Sequence, residues 1–170
     1  MDTLPENKFH AVALALGSNV GDAESSFDQA CKLLEQNAFK ITSRAAVIKT
    51  APVDCPAGTP DFSNSALTGL FAGTPEELLE ITQSIEQALG RPAEHGFHTP
   101  RTLDIDIIIF DEVVINTERL TIPHPRAQER SFVLLPLSEI APDWFFADSG
   151  KTVSEALGAI SQNTDNVTDY

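Results

Sequence analysis

Basic residues are scarce in this chain, as are cysteines and long apolar runs. Eleven Lys and Arg stand against 25 Asp and Glu, a net charge of −14. A nucleic acid or an anionic membrane needs a basic footprint, so neither is expected as the main partner. Cys31 and Cys55 are the only cysteines. Their spacing matches no zinc or redox motif and builds no disulfide framework, which points to a reducing, cytoplasmic setting. No apolar run approaches the length of a bilayer span. Residues 1–8 lack the basic start and apolar core of a signal peptide. What is present is ordinary: 42% hydrophobic and 21% charged residues over 170 positions, enough for a domain with its own core. The expectation is a single domain over 1–170, ordered over about 9–160, with a polar tail at 161–170. Nothing in the pattern demands a partner subunit, so a monomer is expected.

The elements read in the order strand, helix, strand, strand, helix, strand. Residues 9–16 form the first strand, with Ala11, Ala13 and Ala15 on one face and Val12, Leu14 and Leu16 on the other. An alanine face implies something packed close against it. Gly17-Ser18-Asn19-Val20-Gly21-Asp22 turns the chain into a helix with Asp22 as N-cap and Phe27, Ala30, Cys31 and Leu34 as its buried stripe. Strands follow over residues 39–49 and 62–71. Thr74-Pro75-Glu76-Glu77 supplies an N-cap, a proline at the first helical position and the glutamate of a capping box. Leu78, Ile81, Ile85, Ala88 and Leu89 make that helix's apolar face, and Gly90 its stop. This is the ferredoxin-like order: an α+β fold with two helices on one face of an antiparallel sheet. Beyond Phe110 a C-terminal extension adds short strands at 113–115 and 120–122. A helix over 125–140, interrupted at Pro136, and a last helix over 152–160 complete it.

The most informative stretch is Pro100-Arg101-Thr102-Leu103-Asp104-Ile105-Asp106-Ile107-Ile108-Ile109-Phe110. Its β-branched and aromatic content fits a strand. A period of two places Asp104 and Asp106 on one face, roughly 7 Å apart by strand rise, with Leu103, Ile105, Ile107 and Ile109 opposite. Two carboxylates in an otherwise apolar strand are costly without a cation or donor to compensate them. Mg²⁺ takes one or two protein carboxylates and keeps its other positions for water and phosphate oxygens, and Arg101 beside the pair suits the same anion. Arg91, Arg101, Arg119, Arg126 and Arg130 fall within 91–130, a local basic supply for a small phosphorylated ligand. His124 is held between Pro123 and Pro125. Phe62 and Asn64 share a strand face and so present a ring surface beside an amide edge. Gln83 and Glu86 share a helical face. Residues 50–61 and 91–100 form long loops with prolines and glycines, as lids and binding loops do. His10 and His95 show no companions.

Pro100 to Ile108 resembles the defining motif of the 6-hydroxymethyl-7,8-dihydropterin pyrophosphokinase family. Leu16-Gly17-Ser18-Asn19, Phe62-Ser63-Asn64, Gln83-Ser84-Ile85-Glu86, Ile115-Asn116-Thr117-Glu118-Arg119-Leu120 and Ile122-Pro123-His124-Pro125 resemble further family motifs, over about residues 9–147. The resemblance implies transfer of pyrophosphate from ATP to a hydroxymethyl pterin, releasing AMP, in folate biosynthesis. It implies a ferredoxin-like fold, two Mg²⁺ ions held by Asp104 and Asp106, and loops that close over ATP. By motif position Arg101, His124 and Arg130 contact phosphates, with Arg91 and Arg119 as further cations. Gln83, Glu86, Ile107 and Thr121 lie near the nucleotide, with Glu86 also aligning the substrates. Thr50, Val53, Phe62, Asn64 and Phe132 form the pterin pocket. Relatives carry an arginine and a tryptophan where this chain has Ala93 and His98, which leaves His98 as the lid contact.

Two other readings share this fold. An RNA-recognition module stacks bases on aromatic residues of two strand motifs and carries positive charge, and neither feature is present. A non-catalytic ligand-binding domain of ferredoxin-like fold would keep the pocket and tolerate loss of the carboxylates.

Overall fold

The computed structural model describes residues 8–19, 22–50, 61–90 and 103–165. Val53, Cys55, Arg91, Ala93, His95, His98 and Arg101 lie outside the described residues, as does the loop at 91–100. Five strands and two helices make the first part of the chain: β1 (His10–Ser18), α1 (Ala23–Gln36), β2 (Phe39–Arg44), β3 (Ile48–Thr50), β4 (Phe62–Phe71), α2 (Pro75–Gly90) and β5 (Asp104–Phe110). The sheet order is β2-β4-β1-β5, with β3 alongside β4, and every pairing is antiparallel. This is the ferredoxin-like arrangement that the order of elements predicts. The central positions go to β1 and β4, whose runs of small and apolar residues tolerate cover on both faces.

Val12, Leu14, Leu16 and Leu67 pack against Phe27, Ala30 and Leu34 of α1 and Leu78 and Ile85 of α2. Asp22 caps α1, its carboxylate accepting from the Ser25 N–H at 3.2 Å. Cys31 is only half-buried, and burial still raises its thiol above the ordinary value, Arg44 opposing and Asp28 and Glu35 assisting. The capping box of α2 closes in both directions: Glu77 N–H donates to Thr74 Oγ1, and Thr74 N–H donates to Glu77 Oε2, both at 3.1 Å. Thr74→Ala removes one half of that exchange and is expected to cost about 1 kcal/mol. That loss reads as a fall of about 2–4 °C in the thermal midpoint.

The opposite face is covered by the C-terminal extension. After β6 (Ile115–Asn116) and β7 (Thr121–Ile122), which pair with each other, come a 3-10 turn at Ala127–Glu129, α3 (Ser131–Ile140) and α4 (Val153–Asp165). Val133, Leu134 and Leu137 of α3 and Val153 and Ala156 of α4 seat on Ala13, Ala15 and Ala66. The alanine side of β1 thus accommodates close helices. Among the described residues no helix is long and apolar enough to cross a membrane.

Several expectations are corrected. The second strand is broken at residues 45–47, where Ser65 Oγ donates to the Ala45 carbonyl at 2.9 Å, and β2 and β3 pair with different stretches of β4. β1 runs on through Ser18, because Gly17 and Ser18 remain paired with Asn64 and Ser63. Ala88 is exposed, and Thr82 is fully buried in its place. The stripe of α2 runs through 78, 81, 82, 85 and 89, and the Thr82 hydroxyl is satisfied by donating to the Leu79 carbonyl at 2.9 Å. Ile109 does not share a face with Ile105 and Ile107: a register shift between Ala13 and Leu14 leaves Ile108 as an extra residue. That bulge turns Ile109 toward α3 and α4 and Phe110 toward α1 and α2. Pro136 lies inside α3 and does not interrupt it. The break falls instead at Arg130, which is extended (φ −115°, ψ 110°). The last helix continues to Asp165, past the expected start of the polar tail.

His10 does have a companion. Its Nδ1 lies 2.5 Å from Asp111 Oδ2, and Asp111 Oδ1 accepts the Ala11 N–H at 2.7 Å. Asp111 adopts φ +48°, a region that aspartate tolerates better than most residues. The pair fastens the start of β1 to the end of β5, away from the two aspartates.

Candidate active site

Register decides which polar side chains meet. One row across the sheet is Asn64, Gly17, Asp104, and the next row on the same face is Ala66, Ala15, Asp106. The floor between the amide and the carboxylates is therefore glycine and alanine. A Cβ at Gly17 would lie 3.4 Å from Asn64 Oδ1, just in van der Waals contact with the amide.

Above this floor is a cavity of about 510 Å³. Its walls include Thr50, Phe62, Asn64, Asp104, Asp106, Arg130 and Phe132. Arg130 and Phe132 arrive together because the extended Arg130 leads directly into α3, which packs on β4. The Arg130 guanidinium carbon lies 5.4 Å from the centre of the Phe132 ring. Asn64 is buried, and its Nδ2 donates to Thr50 Oγ1 at 2.9 Å. Among the described residues nothing donates to Asn64 Oδ1, which leaves that oxygen to accept from a ligand. A flat heterocycle with an N–H edge suits these walls.

A second cavity of about 390 Å³ lies between α2 and β5, lined by Thr82, Gln83, Glu86, Asp104 and Asp106 among others. Asp104 and Asp106 are thus a wall common to both cavities. Asp104 is half-buried and Asp106 exposed, so the strand carrying them is less enclosed than its apolar composition suggests. Among the described residues no group of three or more His, Cys, Asp and Glu converges. Two carboxylates are a donor set that suits Mg²⁺, which fills its remaining positions with water and phosphate.

His124 lines neither cavity, yet it is near enough to Asp106 and Arg130 to feel both. Burial lowers its imidazole below the ordinary value, Asp106 pulls it up, and Arg130 and Arg126 push it down. The Arg126 N–H donates to His124 Nδ1 at 3.3 Å, which leaves the proton of the neutral ring on Nε2. The loop itself is anchored to β5, His124 N–H donating to the Ile108 carbonyl at 3.2 Å.

The remaining candidates sit apart from the two cavities. Ile107 is in the core beneath the sheet. Arg119 is exposed and faces Glu80 Oε1 at 3.7 Å. Thr121 is paired with Asn116 in the small hairpin. The sequence reading gave no role to Ala15, Gly17, Ser131 or Val133, all of which line the larger cavity. The signals for the first two in the sequence are the alanine face of β1 and the Leu16-Gly17-Ser18-Asn19 motif.

The family model for 7,8-dihydro-6-hydroxymethylpterin-pyrophosphokinase matches residues 13–142. The chain belongs to this pyrophosphokinase family. It is therefore an ATP-dependent pyrophosphokinase of folate biosynthesis, carrying a pyrophosphoryl group from ATP to hydroxymethyldihydropterin. The chain is 46% identical over 131 residues to the pyrophosphokinase of Bacillus subtilis, covering 75% of each chain. It is 39% identical over 151 residues to that of Methylorubrum extorquens, covering 86% of this chain and 91% of the relative. A mitochondrial folate synthesis bifunctional protein of Arabidopsis thaliana is 38% identical over 132 residues, but the match spans only 23% of its length. Among solved structures, wild-type Plasmodium falciparum HPPK-DHPS superposes with a TM-score of 0.77 at 15% identity. That match covers 98% of this chain and 47% of the other, and shows a shared fold.

Proposed function

We propose that this pyrophosphokinase works at the junction of its two cavities, with the pterin in the larger, ATP reaching the smaller, and two Mg²⁺ ions held by Asp104 and Asp106. The observation that carries the reading is the shared carboxylate wall. Bound there, Mg²⁺ neutralises triphosphate charge and lowers the proton affinity of the attacking alcohol. Phe62 and Phe132 offer ring faces to the pterin, and Asn64 Oδ1 accepts from its N–H edge. Arg130 places a permanent cation in the same cavity as the carboxylates, and His124 offers a neutral Nε2–H donor to a phosphate oxygen. The hydroxymethyl oxygen attacks the β-phosphorus, the bond from that phosphorus to the AMP oxygen breaks, and the alcohol's proton leaves to solvent. Such transfer depends on positioning and charge rather than on a strong base. Motif position alone supports Arg91, His98, Arg101, Arg119, Ile107 and Thr121 as nucleotide neighbours, and Val53 as a pterin neighbour. The net charge of −14 supports small-molecule partners, the two cysteines without disulfide spacing support a reducing, cytoplasmic setting, and a monomer is the default assembly.

The test is AMP release from ATP, measured with each component omitted in turn. AMP and pterin diphosphate are expected in equal amounts only when ATP, hydroxymethyldihydropterin and Mg²⁺ are all present. AMP formed without the pterin, or pterin bound without turnover, would overturn the reading.

A further inference from the structure

We propose that Glu86 is a positioning residue for the strand that carries the aspartates: its carboxylate clips the open edge of β5 at Ile105 and so holds Asp104 and Asp106 in place on either side. The proposal rests on the reading above that these two carboxylates hold Mg²⁺. Among the described residues strand β5 is the last of its sheet, paired with β1 along one edge. Its residues there alternate between an N–H that joins the ladder and one that points off the edge. At Ile105 the outward position is filled by a helix side chain: the Ile105 N–H donates to Glu86 Oε1 at 2.9 Å, across 19 residues of sequence. Farther along the same edge, the Ile108 carbonyl accepts the His124 N–H at 3.2 Å. The outer edge of β5 is thus fastened at two points by groups that are not strands. The clip at Ile105 falls between the two aspartates, in the first turn of pleat after the strand begins at Asp104.

Position gives the clip its consequence. An edge strand's end is where local opening costs least, and a carboxylate accepting a backbone N–H makes a stronger hydrogen bond than a neutral acceptor does. Ile105 is buried in the core and borders only the smaller cavity, while Asp104 and Asp106 on either side of it border both, so a shift of its backbone moves both carboxylates together. The same bond also directs one oxygen of Glu86 at the backbone, so that oxygen is committed to the strand.

The test compares the natural protein with Glu86→Gln and Glu86→Leu in two measurements that do not depend on turnover. The first is amide hydrogen exchange at Ile105 without ligands. The second is Mn²⁺ binding, in place of Mg²⁺, without nucleotide, because Glu86 also lines the cavity assigned to ATP. Gln keeps an acceptor oxygen at the same reach, so exchange and Mn²⁺ affinity are expected to stay within about threefold, whereas Leu is expected to change each by about tenfold or more. The circular dichroism spectrum and thermal midpoint of each variant show that it is folded. Unchanged exchange at Ile105 in Glu86→Leu would overturn the clip. Faster exchange with unchanged Mn²⁺ affinity, or Gln falling as far as Leu in both measurements, would overturn the positioning role. Asp106→Ala is run alongside: if it binds Mn²⁺ as the natural protein does, the failure lies with the metal assignment itself.

Discussion

Asp106→Ala lowers kcat by about three orders of magnitude at saturating ATP, pterin and Mg²⁺, because the carboxylate is worth about 4 kcal/mol of transition-state charge stabilisation. The expectation follows from position as well as charge. Asp106 stands on the small-residue floor, in the row of Ala15 and Ala66, and no larger side chain there can reach across to replace it. It also borders both cavities, so its loss affects the side that receives the nucleotide and the side that presents the alcohol. The measurement is AMP release against Mg²⁺ concentration. If extra Mg²⁺ restored full turnover, or if kcat fell only a few-fold, Asp106 would be a spectator.

Asn64→Leu raises KM for the pterin by about 30- to 100-fold and leaves KM for ATP within about twofold, which corresponds to a loss of about 2–3 kcal/mol of binding. Leucine keeps the branched shape, with somewhat more bulk, but offers no acceptor to the N–H edge, and it strips the Thr50 hydroxyl of its partner. Thr50→Val removes the hydroxyl and keeps the shape, so Asn64 loses its tether but keeps its acceptor. A rise of about three- to tenfold is expected for that variant. Steady-state kinetics with each substrate varied in turn separates the effects. Equal rises in both KM values would show instead that the substitution had disturbed the whole sheet end.

The most local features were the most legible. The Asp22 cap and the Thr74–Glu77 box are hydrogen bonds between residues three apart, so each is written in a few consecutive letters. The phase that puts Asp104 and Asp106 on one face is equally local, since it needs only the period of a strand. The same period misplaced Ile109, because the bulge at Ile108 arises in the pairing with β1 and leaves no mark in the composition of β5. Thr82 shows a similar limit. A hydroxyl reads as polar, yet it enters the apolar stripe of α2 once its proton is satisfied by the helix's own backbone.

Charge, residue type and short-range spacing established the kind of chemistry: hard carboxylates, guanidinium groups, an aromatic and an amide on one strand. Those signals travel within one or two turns of chain, where backbone geometry alone sets which side chains are neighbours. Long-range pairing decided the rest. It put Asn64 and Asp104 in one row on either side of Gly17, and brought Arg130 and Phe132 down from the C-terminal extension to wall the cavity. It also joined His10 to Asp111 across 101 residues and Glu86 to Ile105 across 19. Such contacts depend on strand order and register, which the whole core selects at once, and no single segment carries enough apolar surface to specify them alone.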